Sequence, residues 1–229
     1  MSDILDNYRD EFRVRVLGGR PRSILEIGAG NGAFLKSVAG EASKLTGLDP
    51  NDEHVSALQA EGFDAVKGTG EALPYADGEF DVVVFSFTPH HMSNWDAALS
   101  EAVRVARHSV EILDTWYDDT IADQRTAHEF SRWVKAIDRR SGMVNNDAMT
   151  PGELLAPVVT RRDVTYDYVC RRIACPTSIE ETLKQGQAYL AKSGNDPELA
   201  TKFEAIIAAA RRDGMSEAGC VQMTIEMRR

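Results

Sequence analysis

Glu26 lies two positions before three alternating glycines, Gly28, Gly30 and Gly32, and these four residues are the first candidates for ligand binding. Glycine has no Cβ, so a turn built from these residues lets a ligand come close to the backbone. A helix that starts directly after such a turn offers free backbone N–H groups to that ligand. The stretch therefore predicts a cradle for a nucleotide-bearing ligand, with the Glu26 carboxylate beside it.

A second carboxylate, Asp49, ends the next apolar stretch of the chain. An acid at about this distance binds ribose hydroxyls in dinucleotide-binding proteins, and Gly28, Gly30 and Ala33 fit their pattern G-x-G-x-x-G/A. An NAD-dependent oxidoreductase is therefore an alternative interpretation. Glu26 argues against it, because a negative charge beside the turn repels a pyrophosphate and suits a ligand that carries an ammonium group.

The elements that must position these residues alternate between strands and helices as far as residue 116. Such alternation is typical of an α/β sheet with helices on both faces. The apolar run at 80–87 is nearly continuous, as expected for a central parallel strand. The pattern predicts strands at 23–28, 44–49, 64–68, 80–87 and 110–116, and helices at 4–17, 31–39 (with Asn31 as its cap), 53–61 and 95–106.

After residue 116 the pattern becomes mainly helical. The last ten residues alternate between apolar and polar side chains, which predicts a half-exposed strand that is antiparallel to its neighbour. The second half is predicted to contain helices at 119–140, 150–158, 177–192 and 197–212, and strands at 163–172 and 220–229.

Three features together resemble the class I S-adenosylmethionine-dependent methyltransferases, most closely the small-molecule group that includes the ubiquinone-biosynthesis type. They are the E-x-G-x-G-x-G motif at 26–32, the segment VKGTGEALPYADGEFDVVVFSFTPHHM at 66–92, and the closing strand. The resemblance implies a Rossmann-like doubly wound sheet, mostly parallel with a final antiparallel strand, and helical lid insertions. It also implies one domain over 1–229, with a cofactor-binding core at about 20–115 and substrate-side and lid elements at about 1–19 and 116–215.

Carried onto this chain, the resemblance implies that S-adenosyl-L-methionine is the cofactor. Gly28 and Gly30 would line its methionine and ribose portions, and Glu26 would help to hold its amino end. Asp49 would accept hydrogen bonds from the ribose hydroxyls, and Pro50 would flank the adenine. A purely structural role for Asp49, as the cap of the following helix, is the alternative.

Further contacts follow from the same resemblance. Thr69 stands where the family often has an aspartate that contacts the adenine amino group, so adenine contacts are expected from Thr69, Gly70 and Glu71 together. Phe87 would offer its carbonyl oxygen to the methionine amino group, and Tyr8 would cover the cofactor. Packing alone is the alternative for Tyr8, and a surface position is the alternative for Glu71.

The adjacent histidines that follow the fourth strand are the candidates for acid–base chemistry. An imidazole can take a proton from a hydroxyl or amine acceptor at neutral pH. The sequence favours His91 over His90 as the catalytic base, because the second position resembles the one that the family more often keeps near the methyl donor. The alternative is that one ring packs under the cofactor and that positioning alone drives the transfer.

Composition limits the partners. A net charge of −10 argues against sequence-independent binding to a phosphate backbone, so a nucleic acid is not the expected partner. No apolar run is long enough to span a membrane. The three cysteines lack metal-ligand spacing, which predicts reduced thiols in a cytoplasmic protein and no metal site. The expected partner is a small-molecule methyl acceptor, and the arginine pairs of the second half would suit an anionic one.

The sequence is also compatible with two other functions within the same superfamily. The fold also serves tRNA-modifying methyltransferases, and net charge is a weak guide to that distinction. A protein that binds S-adenosylmethionine without transferring its methyl group would carry the same glycine turn. The sequence sets neither the acceptor nor the oligomeric state.

Overall fold

The computed structural model describes residues 3–228 of the chain. Its strands are β1 (Ser23–Ile27), β2 (Lys44–Asp49), β3 (Asp64–Lys67), β4 (Phe80–Ser86), β5 (Ala106–Trp116), β6 (Val164–Arg171) and β7 (Gly219–Met227). Its helices are α1 (Asp3–Leu17), α2 (Ala33–Ser37), α3 (Asp52–Ala60), α4 (Trp95–Val105), α5 (Ala122–Arg140), α6 (Pro151–Leu155), α7 (Ile179–Lys192) and α8 (Pro197–Asp213). A single 3₁₀ turn, Pro89–His91, follows β4.

The seven strands form one sheet in the order β3-β2-β1-β4-β5-β7-β6. The five strands from β3 to β5 in this order are parallel, whereas β7 is antiparallel to both of its neighbours. The chain order reverses between β1 and β4, and ligands bind at such a reversal in open α/β sheets. The predicted Rossmann-like fold with a final antiparallel strand is confirmed.

Helices cover both faces of the central strands. On one face, Phe12 and Val16 of α1 pack against Ile24 and Val84. On the other face, α4 packs over β4 and β5 and helps to form the largest apolar cluster. Every residue of β4 except the last is buried, which explains its continuous apolar sequence. The two covered faces hold the carboxyl ends of β1 and β4 in fixed positions.

The helix after the glycine turn is shorter than predicted. It begins at Ala33, and its N-cap is Gly32, which has a left-handed conformation with φ of +74°. Asn31, the predicted cap, lies one residue earlier and accepts a hydrogen bond from the Ala33 N–H over 3.2 Å. Gly32, the third glycine of the motif, is therefore the N-cap residue of this helix, whereas the sequence predicts Asn31 in that role.

The prediction that the last strand is half-exposed is wrong. β7 lies between β5 and β6, and its polar face is covered in part by α1. Gln222 is buried, and its side-chain amide donates to the backbone oxygen of Tyr8 over 2.9 Å. Gln222 and Thr224 meet hydrogen-bonding partners from the amino-terminal helix, and only Glu226 of the alternating polar residues is exposed.

The helices of the second half pack against one another. Apolar side chains of α5, α7 and α8 form a separate cluster centred on Phe130, Trp133 and Phe203. The Trp133 indole N–H donates to the backbone oxygen of Leu199 over 2.9 Å, which joins α5 to α8. No helix among residues 3–228 is long and apolar enough to cross a lipid bilayer.

Candidate active site

The glycine turn is fixed from two sides. The Gly28 N–H donates to the Leu48 oxygen over 2.7 Å, which joins the turn to β2. A Cβ on Gly28 would lie 2.7 Å from Cγ2 of Thr88, and the Thr88 hydroxyl donates to the Ile27 oxygen over 2.9 Å. Gly28 also has φ of +73°. A side chain is therefore excluded here both by the backbone conformation and by the residue beneath it.

The three glycines do not share one role. A Cβ on Gly32 would overlap the Leu58 side chain, so this glycine, like Gly28, is required for packing. A Cβ on Gly30 would meet no atom within 4 Å. Gly30 is therefore the position at which the turn faces open space, and a ligand can approach the backbone there without meeting a side chain.

Asp49, at the end of β2, is held by backbone donors. Oδ2 of Asp49 accepts from the Gly30 N–H over 2.8 Å, and Oδ1 accepts from the Asn51 N–H over 2.9 Å. Nδ1 of His54 lies 3.1 Å from the same Oδ1. The sequence predicts no role for His54, which lies in the first turn of α3, five residues after Asp49. The carboxylate is thus rigidly oriented beside the turn.

Glu26 is a buried carboxylate with an unsatisfied atom. It is 3% exposed, and its Oε2 has no hydrogen-bond partner among the described residues. Burial raises its pKa well above the ordinary value, although a hydrogen bond from the Leu35 backbone opposes this, and the nearby Asp49 charge raises the pKa further. A cationic group placed beside Glu26 would offset that cost.

A cavity of about 570 Å³ lies in front of the turn, between α1 and the end of β4. Glu26, Gly28, Gly30 and Phe87 line it, as the sequence predicted for a common site. A larger cleft, of about 810 Å³, lies against β5, β6 and β7 and is lined by none of the predicted site residues. The smaller cavity is therefore the candidate site.

The first helix contributes two cations that sequence reasoning missed. Arg9 and Arg13 line the cavity from α1, and the guanidinium carbon of Arg9 lies 5.3 Å from the centre of the Phe87 ring. Their i, i+4 spacing places both on one face of the helix, which was the available signal. Tyr8 is not a lining residue, because its ring lies under the Arg171 guanidinium at 5.1 Å.

Phe87 has an unusual backbone. Its φ is +57°, which is rare for a residue with a large side chain. The Phe87 N–H donates to the Leu113 oxygen over 2.7 Å, and this bond ties the end of β4 to β5. The strained residue thus lies at the cavity wall, between the two strands whose ends frame the site.

The segment predicted to contact adenine lies outside the lining of this cavity. Gly70 is buried, and a Cβ there would lie 2.9 Å from Sδ of Met92. Oε1 of Glu71 accepts from the Ser93 N–H over 2.7 Å and from the Asn94 N–H over 3.2 Å. Burial raises the pKa of Glu71, but these hydrogen bonds outweigh it and lower the pKa overall. Glu71 therefore holds the residues that precede α4.

Pro50 and Thr69 are both exposed, one at the end of β2 and the other shortly after β3. Strands β2 and β3 are neighbours in the sheet, so both residues belong to the same sheet edge. Adenine contact by either residue stays a prediction.

The adjacent histidines have different surroundings. His90 is buried, and its Nδ1 lies 2.7 Å from Oδ1 of Asp114, a buried residue near the end of β5. His91 is exposed, and its Nδ1 lies 2.8 Å from the Val144 backbone oxygen. Partial burial of the ring lowers the pKa of His91, although the Val144 oxygen opposes this. No sequence pattern indicates the pairing of His90 with Asp114, which are 24 positions apart.

Several arginines of the second half form ion pairs with acidic side chains of the same protein. Each of these five has an acidic partner: Arg139 with Asp147, Arg140 with Asp196, Arg161 with Asp163, Arg171 with Glu11 and Arg212 with Asp213. None of the five lines the 570 Å³ cavity. The arginine pairs therefore give no support from this cavity for an anionic acceptor.

The chain resembles known methyltransferases in sequence. Residues 25–113 match the family model described as a methyltransferase domain. The ubiquinone/menaquinone biosynthesis C-methyltransferase UbiE of Shewanella pealeana is 25% identical over 186 residues, which are 76% of this chain and 68% of that protein. A phthiotriol/phenolphthiotriol dimycocerosates methyltransferase of Mycobacterium ulcerans is 32% identical over 133 residues, which are 55% of this chain and 45% of that protein.

The fold also resembles solved structures. The YcgJ protein of Bacillus subtilis superimposes with a TM-score of 0.66 and 17% identity, over 96% of this chain and 98% of that one. In sequence, the same protein, an uncharacterized methyltransferase, is 31% identical over 97 residues, which are 39% of this chain and 38% of that protein. The residues that match the methyltransferase family model, 25–113, include the glycine turn, Asp49 and the end of β4.

Proposed function

Given that the chain is a class I S-adenosylmethionine-dependent methyltransferase, we propose that its cofactor binds in the 570 Å³ cavity against Glu26 and Gly30, which line it. Asp49 is not a lining residue of this cavity, but it is hydrogen-bonded to the Gly30 N–H, and we propose that it contacts the part of the cofactor that extends past the turn. The enzyme transfers a methyl group from S-adenosylmethionine to a small molecule. The unpartnered Oε2 of Glu26 carries the assignment of these residues, because a buried carboxylate with an empty acceptor atom matches the ammonium group of this cofactor.

The other features of the cavity fit the same ligand. Open space at Gly30 lets the ligand approach the backbone, and the fixed carboxylate of Asp49 presents acceptor atoms to a ribose. Arg9 and Arg13 also line the cavity and pair with Asp6 and Asp10 of the same helix, and we propose that their remaining N–H groups contact the carboxylate of the cofactor. When bound, S-adenosylmethionine supplies a methyl group that is already activated on a sulfonium. The task of the protein is then to orient the acceptor and to exclude water.

The acceptor is proposed to enter at the carboxyl ends of β1, β4 and β5. The chain order reverses between β1 and β4, and Phe87 and Leu113 bring β4 and β5 to the cavity wall. The similar proteins are named for ubiquinone/menaquinone and for phthiotriol dimycocerosates, which favours a non-polymeric organic acceptor. We propose a cytoplasmic location, supported by three cysteines that are free thiols in the described structure.

A thermal shift measurement tests the cofactor assignment. A ligand at about 100 times its Kd adds about 2.7 kcal/mol to the free energy of unfolding. For a chain of this size, Tm rises by about 2–4 °C per kcal/mol, so S-adenosylhomocysteine should raise Tm by about 5–10 °C. NAD at the same concentration should leave Tm unchanged. A rise with NAD alone would contradict the assignment.

A transfer assay tests the catalytic step. Methyl-labelled S-adenosylmethionine is incubated separately with fractionated metabolites and with tRNA. Label should enter a small-molecule fraction. Label in tRNA alone would favour the tRNA-modifying alternative, and binding without transfer to either would favour a non-catalytic binding protein.

A further inference from the structure

The pairing of His90 with Asp114 has the geometry of a catalytic dyad. Nδ1 of His90 lies 2.7 Å from Oδ1 of Asp114. Because an ionised carboxylate can only accept, this contact places the imidazole proton on Nδ1 and leaves a lone pair on Nε2. The Asp114 side chain is 1% exposed, whereas the His90 side chain keeps 11% exposure. The aspartate is enclosed, and the ring still has an open side.

The pair lies beside the proposed cofactor cavity. Thr88, two residues before His90, contacts the glycine turn directly under Gly28. Asp114 follows Leu113, which lines the cavity. The 3₁₀ turn is also anchored from the far side, because the His90 oxygen accepts from the Asn146 N–H over 2.8 Å. The ring is thus held at the carboxyl ends of β4 and β5, where the acceptor is proposed to enter.

One atom of the pair has no partner. Oδ2 of Asp114 is buried and accepts no hydrogen bond among the described residues. An unpaired carboxylate oxygen at this depth is costly in a site with a purely structural role. It becomes useful when the neighbouring imidazole gains a positive charge, because the carboxylate then stabilises the imidazolium.

The charged and titratable groups around the pair come from three segments. Lys135 of α5 acts on both Asp114 and His91, and burial lowers its pKa. Tyr117, just after β5, is affected by the Asp114 charge, and burial raises its pKa. The His91 ring lies beside that of His90, tilted by 45° with ring centres 4.3 Å apart. Asp114 is the only acid among these immediate neighbours in the described structure.

We propose that His90 is the general base for an acceptor that carries a hydroxyl group, with Asp114 as the residue that positions and charge-stabilises it; this inference rests on the proposed methyl transfer. The acceptor oxygen forms a bond to the methyl carbon as the carbon–sulfur bond breaks and its electron pair goes to sulfur. The hydroxyl proton passes to Nε2 of His90. The products are a methyl ether, S-adenosylhomocysteine and an imidazolium paired with Asp114.

This assignment departs from the sequence-based choice of His91. Nδ1 of His91 contacts a neutral backbone carbonyl, which fixes the ring but supplies no charge to balance an imidazolium. His90 has that balancing charge. The two adjacent residues therefore provide a direct comparison within one protein.

The tautomer of His90 is measured by NMR on protein with ¹⁵N-labelled histidine, in the presence of S-adenosylhomocysteine. The chain has five histidines, so His90→Ala identifies the signal. In the neutral ring, the proton should be on Nδ1, and Nε2 should be unprotonated. Asp114→Asn should abolish this tautomer preference. A neutral His90 ring that carries its proton on Nε2 would overturn the proposal, whatever the acceptor.

Turnover is measured with phenol, catechol and 4-hydroxybenzoate as probes, alongside pyridine and dimethyl sulfide, which attack without losing a proton. The hydroxyl probes should yield methyl ethers, and His90→Ala should lower that rate by about 10²-fold or more. The fall in rate at low pH should disappear in the same variant. Asp114→Asn should lower kcat and shift the pH profile, and His108→Ala, an exposed imidazole on β5, is the matched control.

The outcomes separate this proposal from the proposed function. Methylation of only pyridine or dimethyl sulfide, ring-carbon methylation of the phenols, or a larger loss in His91→Ala than in His90→Ala would overturn the assignment of His90. Failure of S-adenosylhomocysteine to bind the wild-type protein would instead contradict the proposed function. If none of the probes is methylated, the tautomer of His90 measured by NMR decides whether the assignment of His90 holds.

Discussion

The backbone N–H of Gly30 donates to Oδ2 of Asp49 over 2.8 Å, so the carboxylate at the end of β2 is tied to the turn that follows β1. The two residues are 19 positions apart, and they follow or end neighbouring parallel strands: Gly30 lies in the turn after β1, and Asp49 is the last residue of β2. A ligand that contacts the turn at Gly30 therefore meets the Asp49 carboxylate as well. The charge of Asp49 also acts on Glu26, which makes the three residues one electrostatic unit.

Replacement of Asp49 by Ala should weaken S-adenosylhomocysteine binding by at least about tenfold, because charge-assisted hydrogen bonds to a ribose are worth about 1.5–3 kcal/mol each. Calorimetric titration measures the affinity. Asp52→Ala is the control, since this nearby residue is exposed and pairs with Lys67 on the surface. Equal affinities in the two variants would mean that Asp49 only organises the turn and the start of α3.

The glycine turn offers a matched pair of substitutions. Gly30→Ala places a methyl group in open space and adds only the cost of a left-handed backbone, about 1–2 kcal/mol, so the variant should fold but bind S-adenosylhomocysteine poorly. Gly28→Ala adds a steric overlap with Thr88, so its free energy of unfolding should fall by about 3 kcal/mol.

Urea denaturation and calorimetry distinguish the two glycines. Adding Thr88→Ser to Gly28→Ala removes the overlapping Cγ2 while retaining the hydroxyl that donates to Ile27, and should restore part of the stability. Normal binding by Gly30→Ala would show that the ligand does not approach the turn at this residue.

Cofactor binding should release a proton from Glu26. Burial holds the pKa of Glu26 well above its ordinary value in the free protein, and the ammonium group of the ligand would favour the carboxylate. Affinity should therefore rise with pH until Glu26 is ionised in the free protein. Calorimetry in two buffers of different ionisation enthalpy measures the proton release. Glu26→Gln should abolish it, and proton release that persists in this variant would assign it to another group.

Glu111 should make stability depend on pH. Burial raises its pKa to about 7 from an ordinary value of 4.5, with the Thr224 and Ser109 hydrogen bonds opposing. A raised carboxyl pKa means that the folded state binds the proton more tightly, so the contribution is complete below about pH 4.5 and is lost as pH rises through 7. The loss amounts to about 3 kcal/mol at pH 8, at about 1.4 kcal/mol per unit.

Glu111→Gln should therefore gain stability relative to the wild type between pH 5 and pH 8, as measured by urea denaturation at both values. Glu226→Gln is the matched control, because this residue lies on the neighbouring strand β7 and is exposed. A difference between Glu111→Gln and wild type that does not change with pH would contradict a raised pKa for Glu111.

Much of the fold could be predicted from the sequence, because local patterns report which side chains are buried. The bounds predicted for β2 match those of the structure, and the continuous apolar run at 80–87 corresponds to the buried central strand β4. The alternation along β7 led to a wrong prediction of its exposure. Alternating polarity does not distinguish a strand that faces solvent from one whose polar side chains bond to buried partners, such as the backbone of α1.

Residue type and spacing alone identify Glu26, the alternating glycines and Asp49 as the residues of the turn, and Glu26, Gly28 and Gly30 line one cavity. The other groups of the site become apparent only once the chain is folded. Arg9 reaches the cavity from α1, and His90 meets Asp114 across 24 positions of the chain. Such contacts depend on how helices and strand ends pack in space, and no local periodicity encodes the distance between residues that are far apart in the chain.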